Sequence, residues 1–114
     1  MERTRLIKIP KNIKAMNDYN FGIQNTDDIE EYQLTKEQYN YFNNMNLFNE
    51  INLKCEIIID DYEEEILEYQ KIPIALDIVD TYLIKNKNKN LNLLMFKKIL
   101  SKAFAYKTCV GFEF

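Results

Sequence analysis

The charges of this 114-residue chain are sorted along its length, and the sorting limits how it can fold. Sixteen of its 18 acidic residues lie between Asp18 and Asp80, a stretch whose only bases are Lys36, Lys54 and Lys71. Twelve of its 15 bases lie outside: Arg3, Arg5, Lys8, Lys11 and Lys14 before it, and the lysines from Lys85 to Lys107 after it. Residues 15–84 thus carry −13 (three bases against 16 acids) and the two ends +10 (12 bases against two acids), which leaves the net −3. Two arrangements are open. Either the basic ends fold back onto the acidic middle and neutralise it, or the surface keeps a negative zone that steers cationic partners and repels nucleic acid.

The length fits one domain with a single core, and 46% hydrophobic with 29% charged residues is the composition of a folded protein rather than a disordered tail. No apolar run approaches the roughly 18–20 residues that span a bilayer. The opening MERTRLIKIPKNIK has charge but neither an apolar centre nor a small-residue cleavage site, so it does not read as a secretory signal. A cytoplasmic protein is expected, with Cys55 and Cys109 reduced and buried.

What is missing excludes most chemistry. Without histidine the chain lacks the commonest general base and metal ligand, and neither a Ser-His nor a Cys-His pair is possible. Gly22 and Gly111 are the only glycines, too few for a phosphate-cradling loop. Two thiols cannot make a structural zinc site. An enzyme is not expected, nor is a cofactor or a bound metal.

The pattern predicts an α+β single domain, helix-dominated, with a small sheet that includes a C-terminal strand. Arg5–Ile9 alternates as a short strand stopped by Pro10. Ile13, Met16, Tyr19 and Ile23 suggest a helical turn or two. Thr35 to Gln38 has capping-box form and opens a helix whose inner face is Tyr39, Phe42 and Met45. Asn43, Asn44 and Asn46 break it, and a second helix runs from Leu47 to about Lys54 with Leu47, Phe48 and Ile51 inward. Cys55–Ile59 reads as a buried strand. Pro73 opens a helix over 74–84, with Ala75, Ile78, Val79 and Tyr82 inward and Asp77, Asp80 and Thr81 outward. After a polar connector, Leu91–Tyr106 carries an apolar stripe of Phe96, Ile99, Leu100, Ala103 and Phe104, and Cys109–Phe114 ends the chain as a strand.

The candidate site is Asp60, Asp61, Tyr62, Glu63, Glu64 and Glu65, five carboxylates in six residues with no base following until Lys71. Such density excludes a packed interior position; the segment must face water or a cation. It is not an EF-hand loop, because Glu65 stands where that loop needs glycine. It reads either as a solvated loop or as a binding surface in which Tyr62 serves as contact anchor and attracts Lys or Arg. Asp27, Asp28, Glu30 and Glu31 form a second acidic run that would extend this surface if the fold brings the two together. Direct nucleic-acid binding is disfavoured. The Lys85–Lys107 bases suit the solvated side of a helix, the aromatics near Lys102 suit the core stripe, no arginine follows Arg5, and the pI is near 5.0. Tyr39, Tyr41 and Phe42 read as core.

Three stretches carry a resemblance: LFNEINLKCEIIIDDYEEE (Leu47–Glu65), IPIALDIVDTYL (Ile72–Leu83) and FKKILSKAFAYKTCVGFEF (Phe96–Phe114). In pattern they resemble the small immunity proteins that bacteria make against their own contact-dependent or polymorphic toxins. The resemblance covers about 70 residues, with nothing from residues 1–46. It implies a non-enzymatic inhibitor of one cognate toxin, a protein with a basic active-site cleft, which for a nuclease complements an acidic inhibitor surface. Neither direct nucleic-acid binding nor a membrane is implied. An acidic DNA mimic acting on a host effector and a regulatory subunit are the alternatives from other classes.

Overall fold

The two ends of the chain meet in the middle of one antiparallel sheet. The computed structural model describes residues 4–24 and 26–114, so Arg3, counted above among the N-terminal bases, lies outside the described residues. In chain order the elements are β1 (Arg5–Pro10), α1 (Ile13–Asn20), β2 (Ile29–Leu34), α2 (Lys36–Asn44), α3 (Leu47–Cys55), β3 (Glu64–Leu67), α4 (Ile72–Lys85), α5 (Leu91–Tyr106) and β4 (Val110–Glu113), with 3-10 turns at Thr26–Asp28 and Tyr69–Lys71. The strand order is β2-β1-β4-β3, every pair antiparallel. The fold is α+β with helices dominant, and the C-terminal strand is an inner one.

Register assigns the faces, because residues paired across an antiparallel ladder point the same way. Ile7 pairs with Tyr32 and Phe112, and Leu67 with Val110, so these side chains share the face on which α2–α5 pack in sequence. Phe42, Phe48, Phe96 and Phe112 fill that core, in ring contact at 5.5–6.4 Å. On the other face lie Lys8, Glu31, Glu64, Ile66 and Glu113. The only helix on that side among the described residues is α1, and its eight residues cover part of it. Tyr19 and Met16 pack there against Ile29, Cys109 and Ile66 in a small second cluster.

Local chemistry explains most boundaries. Gln38 N–H donates to Thr35 Oγ1 and Thr35 N–H to Gln38 Oε1, the capping box the sequence predicts. Asn46, at φ 71, breaks α2 from α3; asparagine tolerates this left-handed conformation. Lys107, at φ 59, ends α5 where glycine is usual. Thr108 is fully buried and donates to the Pro10 carbonyl at 2.6 Å, holding the start of β4 to the end of β1.

Three expectations are corrected. Cys55–Ile59 is not a strand: Cys55 closes α3, and residues 57–60 form an irregular connection. β-branched residues suit any extended buried segment, and Ile57 and Ile59 are buried while Ile58 is exposed. The strand comes later, at Glu64–Leu67, inside the acidic run, which the charge pattern concealed. The β2 strand was equally hidden, since IEEYQL does not alternate cleanly. Phe104 and Tyr41 are not core residues; they are 39% and 38% exposed, Phe104 stacked on Tyr69 at 5.1 Å. Asp80 faces outward as expected, its side chain 44% exposed and paired with Lys97 at 2.8 Å.

Gly111 explains how α1 approaches the sheet. A Cβ there would lie 2.0 Å from Tyr19 Oη and 2.6 Å from its ring, and Tyr19 is itself buried. Gly111→Ala should therefore cost about 1–3 kcal/mol by overpacking. Combined with Tyr19→Leu, the loss should fall well below the sum of the two single losses. Additive losses in denaturant melts would refute this packing.

Candidate partner-binding surface

Five carboxylates in six residues repel one another, so an ordered Asp60–Glu65 segment needs specific restraints. Asn52, inside α3, clamps its approach: Ile59 N–H donates to Asn52 Oδ1 at 2.7 Å, and Asn52 Nδ2 donates to the Ile59 carbonyl at 3.1 Å. Asp60 Oδ1 accepts from Asp61 N–H at 2.8 Å and from the Tyr39 hydroxyl at 3.2 Å. Burial, then the nearby Asp61 and Asp60 charges, push the Tyr39 hydroxyl above its ordinary pKa, which keeps it a donor. Glu63 N–H returns to the Asp60 carbonyl at 3.3 Å, closing a four-residue turn, and Phe114 N–H donates to the Glu63 carbonyl at 3.1 Å.

The central restraint joins this turn to β1. Arg5 grips Asp61 with two parallel hydrogen bonds, Nε to Oδ1 at 2.8 Å and Nη2 to Oδ2 at 3.2 Å. The guanidinium also lies 4.5 Å from the centroid of the Tyr39 ring. The side chains of Arg5 and Asp61 are 11% and 32% exposed, so the pair is partly shielded from water. Forked geometry on an aromatic face is what arginine offers and lysine does not. The base that relieves this run is therefore not Lys71 but Arg5, 56 residues away in sequence. Of the two surroundings that the charge density allows, water or a cation, the half-buried Asp61 has the cation.

Beyond the turn, Glu65 binds the backbone. Its carboxylate accepts Ile58 N–H and Ile66 N–H, both at 2.9 Å. An edge strand leaves donors unpaired, and Glu65 satisfies one of them from the same strand. Asp60, Tyr62, Glu63 and Glu64 remain exposed. Tyr62 is 84% exposed and sits at φ 67, the third residue of the turn. A position with positive φ favours glycine; holding a tyrosine there costs about 1–2 kcal/mol. The turn thus displays an aromatic ring between carboxylates on a backbone fixed from three sides, by Arg5, Tyr39 and Asn52.

The second acidic run is divided by the fold. Glu31 joins the outer sheet face that also carries Glu64, with Lys8 and Glu113 between them; Lys8 Nζ lies 3.0 Å from Glu113 and 3.9 Å from Glu31. Glu30 points to the opposite face, where Lys102 Nζ meets its Oε1 at 2.9 Å beside Tyr32 and Tyr106. Burial alone would raise the Glu30 carboxyl, but the bonds from Lys102, Tyr106 and Tyr32 outweigh it and hold it below its ordinary pKa. Asp27 and Asp28 lie in the 3-10 turn before β2, where their carbonyls accept from Lys11. Since β2 and β3 are opposite edges of the sheet, the two runs do not form one continuous patch.

Both arrangements left open by the charge pattern are therefore realised in part. Bases from the ends return to acids of the middle at Arg5–Asp61, Lys8–Glu31, Lys97–Asp80 and Lys102–Glu30. The turn and the start of β3 keep their outward carboxylates. Both thiols are buried, and burial raises each, Cys109 to about 12. Among the described residues no group of three or more His, Cys, Asp or Glu side chains is placed to hold a metal ion, and no helix is long and apolar enough to cross a membrane.

If Arg5 restrains the turn, Arg5→Ala and Asp61→Asn should each destabilise the fold by roughly 2–3 kcal/mol, with a coupling of about 1–2 kcal/mol in the double mutant. Urea melts of the four proteins check this. A coupling below about 0.3 kcal/mol would mean that the pair is only a surface contact.

Comparison with protein-family models, with curated proteins and with solved structures finds no match for this chain.

Proposed function

We propose that the protein is a non-enzymatic immunity protein that binds a cognate bacterial toxin domain and blocks its basic active-site cleft with the Asp60–Glu65 turn. The observation that carries this reading is Tyr62, an 84% exposed aromatic held at positive φ between carboxylates on a restrained backbone. Strain of that kind persists only when the surroundings over-determine it, and it concentrates at binding sites. A ring that is already positioned loses little entropy on docking. Exposed Asp60, Glu63 and Glu64 supply the field that draws in a cationic cleft. The toxin itself enters through the resemblance of Leu47–Glu65, Ile72–Leu83 and Phe96–Phe114 to immunity proteins.

A cytoplasmic location goes with this role, because the toxin acts there. The absence of histidine, the raised thiols and the lack of an activated nucleophile favour inhibition by occlusion over any turnover.

The test is rescue of growth. The gene beside its own should encode a toxin domain, and the protein, co-expressed with that domain, should restore growth to cells that the toxin arrests. Tyr62→Ala should speed dissociation of the purified complex by the equivalent of about 1–3 kcal/mol. Glu63→Lys should instead slow association and flatten its dependence on salt. Failure to rescue would refute the immunity role; full rescue with unchanged kinetics for both variants would place the contact elsewhere.

A further inference from the structure

The short α1 leaves the outer face of β3 unroofed, and a groove runs there between the helix and the strand. One end, about 310 Å³, is lined by Glu64, Glu65 and Glu113, with Gln24 and Tyr19 beside Glu113. The other, about 540 Å³, is lined by Met16, Ile66, Tyr69 and Cys109, with Glu68 and Gln70 at its rim. Asn20 and Ile66 belong to both ends, so the two are continuous. Each volume falls within the range of small-ligand sites, roughly 300–1,000 Å³. Among the described residues no lysine or arginine lines either end, though Lys8 borders the first through Glu113 and Gln24. Glu113 is already engaged by Lys8, by the Tyr19 hydroxyl at 2.8 Å and by Gln24 Nε2 at 3.2 Å, whereas Glu64 and Glu68 are exposed.

We infer that this groove binds an extended peptide segment of a partner protein, with a cationic side chain beside Glu64 and apolar side chains between Met16, Ile66 and Tyr69. The charge of the walls selects the occupant: exposed Glu64 and Glu68, one at each end, disfavour anionic segments and nucleic acid, and a purely apolar one leaves the carboxylate end unmatched. The cleft between α3 and α4 offers no such selection, because Lys54 stands there beside Glu50 and Asp77. Glu64 and Glu65 also belong to the acidic segment, so the inference rests on the reading of that segment as a protein-binding surface and extends the contact along β3. The partner would then be held by the ring of Tyr62 at the turn and by a segment laid beside α1.

The probe is the tetrapeptide acetyl-Arg-Gly-Leu-Phe-amide, titrated into the ¹⁵N-labelled full chain while amide resonances are followed by NMR. Saturating shifts are expected at Asn20, Gly22, Ile66 and Gln70. The exposed-site double variant Glu64→Gln with Glu68→Gln, its spectrum otherwise unchanged, should bind about tenfold more weakly. The counterpart acetyl-Asp-Gly-Leu-Phe-amide should produce no saturating shift. Equal binding of the two peptides, or undiminished binding by the double variant, would overturn the inference. Shifts confined to residues 60–63 would overturn it while leaving the role of the turn intact. Saturation of the groove together with unchanged toxin kinetics for Tyr62→Ala and Glu63→Lys would uphold it and count against the turn.

Discussion

The fold depends on β4 lying between β1 and β3. The last residues of the chain complete the sheet, and three separate features hang on that placement. Phe112 and Phe114 enter the aromatic core from the sheet side. Gly111 provides the flat spot on which Tyr19 seats α1. Phe114 N–H holds the Glu63 carbonyl, so the acidic turn is fastened to the C-terminus at one end and to Arg5 of β1 at the other. Contacts of such long sequence separation carry a high loop-closure cost.

This explains how a chain with −13 in its middle remains compact. The basic ends are sorted toward the centre of the fold by strand pairing, which places Arg5 and Lys8 among acids they could not reach locally. Where the acids are half-buried, as at Asp61 and Glu30, a base from an end meets them. Where they are exposed, at Asp60, Glu63 and Glu64, solvent carries the repulsion. The densest exposed negative charge stands on one turn and the start of the strand that follows it, with single exposed acids elsewhere, as at Asp27, Glu31, Glu37, Glu56 and Asp77.

Much of this architecture was legible in the sequence. Helices announced themselves by local signals: the Thr35–Gln38 box, the asparagine break, Pro73 and the apolar period of Leu91–Tyr106 all act within a few residues. The C-terminal strand was equally visible. The strands β2 and β3 were not, because both are edge strands built from acidic sequence, and their pairing comes from partners far along the chain. The acidic turn was found by its composition, but its anchors were not. Arg5 looked like one more terminal base, and Asn52 like one more asparagine. An arginine at the start of a strand and a polar side chain beside the inward Ile51 were the faint signs available.

The central claim is that the Asp60–Glu65 turn is a restrained, preformed surface rather than a solvated loop. Amide hydrogen exchange tests it most directly, since Ile58, Ile59, Asp61, Glu63 and Ile66 each donate an N–H within this segment. Restraint predicts slow exchange at these five amides in the parent, and selective loss of that protection at Asp61 and Glu63 in Arg5→Ala while the amides of α4 and α5 stay protected. Exchange at unfolded-chain rates in the parent would contradict the account.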